Sequence, residues 1–294
     1  MVLGKSAGAR GFSAFNTVFL IVLSLLCVAP LVHIAAVSLS SSSAVTAGWV
    51  ILWPVDFTWD SYRFVLSRGE IWSPMIVTLK RVVLGGGLNL LMTILIAYPL
   101  SKESAVFRAR TGYAWFFFFT MLFSGGLIPW YMIIRQLELL DSVWALVLPA
   151  GVPVFNIVLL LNFFRQLPKE LEEAAFMDGA GHWTTLWKIY LPASLPALAT
   201  VSLFAVVWHW NSWFDGLILM NRPEHYPLQS YLQTVIMQRD MTFIQHLSRA
   251  ELAVVSDRTI KSAQILIATL PILFVYPFLQ RFFVKGIVLG SVKG

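Results

Sequence analysis

Charge is what this chain has least of. Asp, Glu, Lys and Arg make up 12% of its 294 residues and hydrophobic residues 58%, whereas a soluble domain carries about 25% charged residues. So few charges cannot cover a water-soluble body of this size, and the mean hydropathy of +0.74 agrees. Cysteine is almost missing: the single Cys27 excludes an internal disulfide framework and a cysteine-based zinc site. No G-x-x-x-x-G-K-S/T run is present to cradle phosphates, and no G-x-S-x-G elbow offers a serine nucleophile. Gly179-Ala180-Gly181 opens like a dinucleotide fingerprint, but Thr184 stands where the third glycine belongs and no strand precedes it. His33, His182, His209, His225 and His246 have no i,i+4 pairing, and carboxylates are nearly absent from the apolar runs. Neither a metal site nor catalysis is expected, and no cofactor. The net charge of +6 is scattered, without the basic face beside exposed aromatics that nucleic acid would need.

What the chain does have is long apolar runs. A spanning helix takes about 20 mostly apolar residues to cross about 30 Å of hydrocarbon. Six runs qualify, at 15–36, 82–100, 113–134, 143–164, 193–213 and 262–280. Lys5 and Arg10 precede the first, as in a secretory signal. That run is longer than the roughly 7–15 residues of a signal core, so it reads as a retained helix. The fold expected is all-α and polytopic, with both termini on one side. Lys102, Arg108, Arg110, Arg165, Lys169 and Lys188 fall in short segments on the side of the termini, beside Lys5, Arg10, Arg281, Lys285 and Lys293. Basic residues in short loops mark the cytoplasmic side, so both termini are expected inside. Segments 37–72 and 214–261 then lie outside, partly folded against the outer face or a partner. Lys80 and Arg81 sit at the outer mouth of the second run.

The segment 165–188 is short, charged and patterned. Pro168 starts a helix whose positive end suits Glu170, Glu172 and Glu173. Gly179 and Gly181 break it, and a second helical stretch runs to a stop at Pro192. Leu171, Ala174, Ala175 and Met177–Asp178 offer a small apolar face that could dock in a groove. Periodicity alone equally allows a loop lying on the membrane surface.

Glu173-Ala174-Ala175, three residues, Gly179, nine residues, then Ile189-x-Leu191-Pro192 resembles the EAA signature of binding-protein-dependent ABC importer permeases. Asp178-Gly179-Ala180 is the usual filling between its halves. The C-terminal run from Lys285 to Gly294 is similar to the tail of the carbohydrate-uptake branch. Trp210-Asn211-Ser212-Trp213-Phe214-Asp215-Gly216 with Tyr226-Pro227-Leu228-Gln229 is similar to the aldouronate and alginate subgroup. The resemblance implies a type I importer permease fold with two regions. Residues 1–71 hold the N-terminal helix and first extracytoplasmic segment; residues 72–294 form the permease core, with the cytoplasmic segment 165–192 and the tail. It also implies a multi-pass protein of the bacterial cytoplasmic membrane that imports oligosaccharides. Its partners would be a second, homologous permease, a dimer of cytoplasmic ATPases that bind the ATP and Mg, an extracytoplasmic solute-binding protein and membrane lipid. Within the segment, Glu173 would pair with a basic residue of the ATPase. Gly179 would permit the bend, and Ala174, Ala175, Asp178, Ala180, Ile189, Leu191 and Pro192 would complete the coupling element. The tail would reach the ATPase interface.

A sugar has apolar ring faces and many hydroxyls, so aromatic platforms beside polar groups suit it. Trp208, Trp210, Asn211, Trp213 and Asp215 gather at the outer end of the fifth run. Trp210, Asn211, Trp213, Asp215 and the intramembrane Asn156 are the substrate-path candidates. The other reading of the tryptophans is an aromatic belt at the membrane boundary, and of Asn89, Asn156 and Asn162 an interhelical hydrogen bond. A permease of the same family for a non-sugar solute is the nearest alternative. A secondary transporter would carry mid-membrane carboxylates and often inverted repeats, and neither is visible.

Overall fold

The computed structural model of the protein describes residues 7–237 and 256–291; Lys5, Arg239, His246, Arg249 and Lys293 lie outside the described residues. Among the described residues the regular structure is helical throughout. The chain order opens with α1 (Ala7–Ser38), α2 (Ser42–Thr46), α3 (Asp60–Arg68) and α4 (Trp72–Ser101). It continues with α5 (Arg110–Leu122), α6 (Leu127–Gln136), α7 (Val143–Ala150), α8 (Val154–Phe164) and α9 (Lys169–Met177). The last elements are α10 (His182–Ala193), α11 (Leu195–Asn211), α12 (Phe214–Leu219), α13 (Leu228–Met237) and α14 (Asp257–Ser291).

Three stretches are single helices long and apolar enough to cross a bilayer: Gly11–Ser38 of α1, all of α4, and Asp257–Val275 of α14. The other three expected spans are bent pairs, α5 with α6 by 110°, α7 with α8 by 46° and α10 with α11 by 83°, giving up to six spans. The expectation of continuous runs is corrected at those three breaks. Gly126 sits at φ +88, a left-handed backbone that lacks the usual steric penalty only for glycine. Pro153, with ψ +91, precedes α8 and has no N–H to continue a helix. Ser194 leaves helical geometry, and Pro196 occupies the opening of α11, where its missing donor costs nothing. Pro192 is therefore not the stop expected of it: α10 runs through it to Ala193. Unwound backbone at membrane depth must still be hydrogen-bonded. Ser194 N–H donates to Leu191 O (3.1 Å), and the Asn89 side chain donates to Ala150 O (2.6 Å).

The structure divides into two compact units. One runs to Ile71 and includes Val235–Ala268; the other comprises Trp72–Thr234 and the chain from Thr269. In the first, Ala36 and Val37 at the end of α1 form a small core with Ala44, Val45 and Val50. Ser40 fixes it by donating to Ala36 O (2.6 Å) and accepting from Val55 N–H (3.0 Å). From Gly11 to Ala35 no residue of α1 is buried.

In the second unit α4 is the central post. Near Ser101, its residues Ile94, Ala97, Tyr98 and Leu100 pack with Ile157, Leu160 and Phe164 of α8 and Leu186, Tyr190 and Leu191 of α10. Near its start, the polar residues decide the packing. Arg81 was expected at the mouth of a helix starting near residue 82. Because α4 begins at Trp72, Arg81 lies well inside it and is 0% exposed. Its Nη1 donates to Asp215 Oδ1 (3.1 Å), its Nη2 to Asp215 Oδ2, and its Nε to His209 Nδ1 (3.4 Å). His209 Nε2 in turn meets Asn89 Oδ1 at 3.0 Å, which makes Nε2 the protonated ring nitrogen. Gly85 lets α11 come this close, since a Cβ there would sit 2.3 Å from the His209 ring.

Removing one partner of a buried ion pair costs about 3–5 kcal/mol because the other charge stays unpaired. Asp215→Asn is expected to lower the detergent-phase thermal stability of the purified permease by that order. Arg81→Met combined with Asp215→Leu should recover much of the loss. Equal stability of Asp215→Asn and wild type would refute the structural role of this pair.

Candidate functional site

The segment between α8 and α11 is built as a bracket. Pro168, extended at ψ +132, starts α9, and Glu170 and Glu172 lie in its first turn against the positive helix end. The helix stops at Gly179, whose φ is +80. There Ala180 N–H donates to Ala175 O (2.9 Å) and Gly179 N–H to Phe176 O (3.0 Å), the two bonds of a Schellman cap. Gly179 thus turns the chain towards α10, which starts at His182 and contains a π-helical turn at Leu186–Tyr190.

One side of α9 faces the chain. Glu172 Oε1 accepts from Lys102 Nζ (2.7 Å) and its Oε2 from the Tyr190 hydroxyl (2.6 Å), while Lys102 also donates to the Tyr190 oxygen (3.1 Å). The Lys102 ammonium lies 3.9 Å from the Tyr98 ring centre and 4.1 Å from that of Tyr190. Burial disfavours the Glu172 carboxylate, but the hydrogen bonds from Lys102 and Tyr190 outweigh it and hold its pKa below the ordinary value. Burial pulls the Lys102 ammonium down as well, more than Glu172 lifts it. The carboxylate's contribution to stability is therefore present above the unfolded carboxylate pKa and fades as pH falls through the depressed one. Glu172 carries no part of the EAA signature. Its signal in the sequence was only a carboxylate one position before Glu173, opposite Lys102 at the end of an apolar run.

The other side of α9 faces outward. Glu173, Ala174, Asp178 and Gly179 are exposed, and Glu173 makes no ion pair or hydrogen bond among the described residues. Met177 is 88% exposed, with Leu171, Phe176, Trp183 and Trp187 also open. Ala175 departs from the docking face predicted for it: it is buried against the chain. Ala180 and Ile189 are half-buried, Pro192 is exposed, and Leu191 belongs to the α4–α8–α10 core. At the tail, α14 continues to Ser291, and Val292–Gly294 lie outside the described residues.

At the opposite end of the second unit, a cleft of about 750 Å³ is lined by Trp130, Trp208, Phe214, Ser212, Asp215 and Leu146 among others. Of the aromatic candidates, Trp208, half exposed, lines it. Trp210 is only 4% exposed and points away into the protein. Asn211 is exposed and donates to Val207 O (2.9 Å) in its own helix. Trp213 stacks edge-on with Phe214 (5.7 Å). Asp215 reaches the cleft but is engaged by Arg81, Ser212 Oγ (3.0 Å) and Gly216 N–H (3.0 Å). Asn156 is buried and donates to Val201 O (3.4 Å), which ties α8 to α11 rather than facing this cleft. Trp130 escaped the sequence reading because a straight third span gave no reason to single it out. The pair Gly125-Gly126, just before Pro129-Trp130, was the available sign of the bend.

Residues 2–288 match the family described as binding-protein-dependent transport system inner membrane component. The chain is 39% identical over 281 residues to the polygalacturonan/rhamnogalacturonan transport system permease protein YtcP of Bacillus subtilis (strain 168), covering 94% of this chain and 96% of that one. It is 39% identical over 290 residues to protein LplC of the same organism, covering 99% and 97%. Its fold is similar to a chain in the crystal structure of a bacterial ABC transporter involved in the import of the acidic polysaccharide alginate. That likeness has a TM-score of 0.89 at 34% identity and covers 96% of this chain and 100% of the other. With up to six apolar spans and a family match over nearly its whole length, the chain belongs to the inner-membrane permeases of binding-protein-dependent ABC transport systems.

Proposed function

We propose that this chain is one of two membrane subunits of an ATP-driven importer for oligosaccharides derived from acidic polysaccharides. The observation that carries the substrate class is the full-length likeness to the polygalacturonan/rhamnogalacturonan permease and to the alginate importer chain. A binding protein delivers the sugar to the end bearing Trp208. Cytoplasmic ATPases, which hold ATP and Mg, seat on the outward face of α9, where Glu173 meets a basic residue and Met177 an apolar one. Their closure is passed by the Glu172–Lys102–Tyr190 tie to α4 and α10, and through the shared core to α8. Moving such a balance from 1:99 to 99:1 takes about 5.5 kcal/mol of differential binding, and ATP binding at the partners is the source. Both termini and the coupling segment face the cytoplasm.

The substrate class is tested in proteoliposomes with the cognate binding protein. Oligouronides are expected to stimulate ATP hydrolysis and to be taken up, and neutral oligosaccharides of the same length much less. Stimulation by an amino acid or ion alone would overturn the reading.

Glu173→Lys sets like charge against the expected basic partner, and Gly179→Pro removes both the left-handed turn and a capping donor. Both variants are expected to insert normally and lose ATPase co-purification or stimulated hydrolysis. Glu172→Gln should keep the ATPase bound yet uncouple it, at a stability cost of about 1.5–3 kcal/mol for one charged hydrogen-bonded group. A maleimide should reach Met177→Cys, in a Cys27→Ser background, only from the cytoplasmic side. Wild-type coupling in Glu173→Lys, or labelling of Met177→Cys from outside, removes this assignment.

Trp208→Ala should reduce uptake per assembled complex while leaving basal hydrolysis intact. Trp210→Ala should instead cut stability, by about 3–5 kcal/mol for a large buried ring, with normal uptake per folded molecule. The opposite pattern returns Trp210 to the sugar path.

A further inference from the structure

We propose that an anionic phospholipid binds between α4, α5 and α8, its phosphate on Arg110 and Arg165 and one acyl chain in an apolar cleft that Arg110 also lines. The naming of its leaflet as cytoplasmic rests on the orientation proposed above; the site itself does not.

Arg110 is the first residue of α5, and Arg165 follows the last residue of α8. Arg110 Nη1 donates to Lys102 O (3.1 Å) and Arg165 Nη2 to Leu100 O (3.1 Å), so both guanidiniums gather at the C-terminal end of α4. Their neighbours are already neutralised, Lys102 by Glu172 and Lys169 by Glu103. Neither arginine has a carboxylate within ion-pair distance among the described residues, and Arg110 Nε is buried without a hydrogen-bond partner. Burial, and then the like charge of Arg110, hold the Arg165 guanidinium below its ordinary pKa. The surrounding hollow, of about 610 Å³, sets four cations against three carboxylates, Glu103, Glu172 and Glu173. Two neighbouring guanidiniums with spare donors, at the end of membrane helices, fit phosphate oxygens in forked geometry.

The second hollow makes the ligand a lipid. Arg110 also lines a second cleft, of about 340 Å³, whose walls include Leu100, Trp115, Phe118, Val154, Val158 and Leu161. Arg110 and Thr111 are its polar lining residues. Trp115 and Phe118 stand exposed on its rim, on a helix that forms half of a span. A free phosphate would use the arginines and leave this cleft empty, whereas an acyl chain gains by burying each methylene. Basic pockets between membrane helices on the cytoplasmic side suit anionic headgroups for the same reason.

The test uses the assembled transporter in mild detergent, titrated with phosphatidylglycerol or phosphatidylcholine and read by native mass spectrometry. Phosphatidylglycerol is expected to bind preferentially. Arg110→Gln with Arg165→Gln should weaken it about thirtyfold, the effect of two basic residues near a charged leaflet, and leave phosphatidylcholine unchanged. Val158→Trp, which fills the cleft and keeps both arginines, should weaken it too, and it covers the case in which the double variant fails to fold. Unchanged phosphatidylglycerol binding in Val158→Trp overturns the site. So does displacement of the lipid by millimolar inorganic phosphate, which would identify a free-anion site. A cross-link from Trp115→Cys to the partner permease, with lipid binding unaltered, would mean that a protein helix fills the cleft and would also overturn it. A reversed orientation, seen by maleimide labelling, would change the leaflet and leave these affinities as they are.

Discussion

The ammonium of Lys102 is the point on which the α9 end of this protein turns. It sits just past the last residue of α4, is almost fully buried, and is held by Glu172, the Tyr190 hydroxyl and two aromatic faces. A charge so placed is tolerable only if its carboxylate stays in reach, so α9 cannot drift from α4 without stranding it. The short, otherwise solvent-washed α9 is thereby fixed to the membrane helices. The outward face with Glu173 and Met177 is presented on a rigid support.

Arg81 does the same work at the far end of α4. There the cation is nearly ten residues inside the helix, and α12 supplies the carboxylate through Asp215. One helix thus carries a neutralised cation at each end. The apolar packing of α4 with α8 and α11 fixes distances, and the two ion pairs fix rotation about and translation along the axis. Hydrophobic contacts in a membrane are poor at that task, because lipid competes equally well for them.

Much of this was legible in the residues. Runs of about 20 apolar residues give the spans, and Gly179 with the flanking alanines gives the bracket, since a left-handed cap leaves a glycine at a fixed place. What stayed hidden depends on which side of a helix a residue occupies across 70 to 134 positions of chain. Lys102 with Glu172, and Arg81 with Asp215, are pairings of distant sequence, and neither charge announces its partner. The substrate-path reading of Trp210 failed to anticipate its burial for the same reason: Trp208 and Trp210 sit two residues apart in a helix and so face different ways. The bends at Gly126, Pro153 and Ser194 were each marked by glycine or proline, but apolar length masked them.

The π-helical turn at Leu186–Tyr190 has a consequence for how this element tolerates change in chain length. A π turn holds one more residue than the α turn it replaces. Leu186 and Tyr190, four positions apart, share the inner face and both reach the core, while Trp187 and Lys188, between them, stay outside. Loss of a single residue here would restore ordinary α winding at no cost in helix length. Gain of one more residue has no such slack to take it up and would swing Tyr190 about 100° around the axis, away from Glu172 and Lys102. The stretch between Gly181 and Pro192 is therefore expected to tolerate a deletion better than an insertion, which would disconnect the bracket even if every side chain named above were kept.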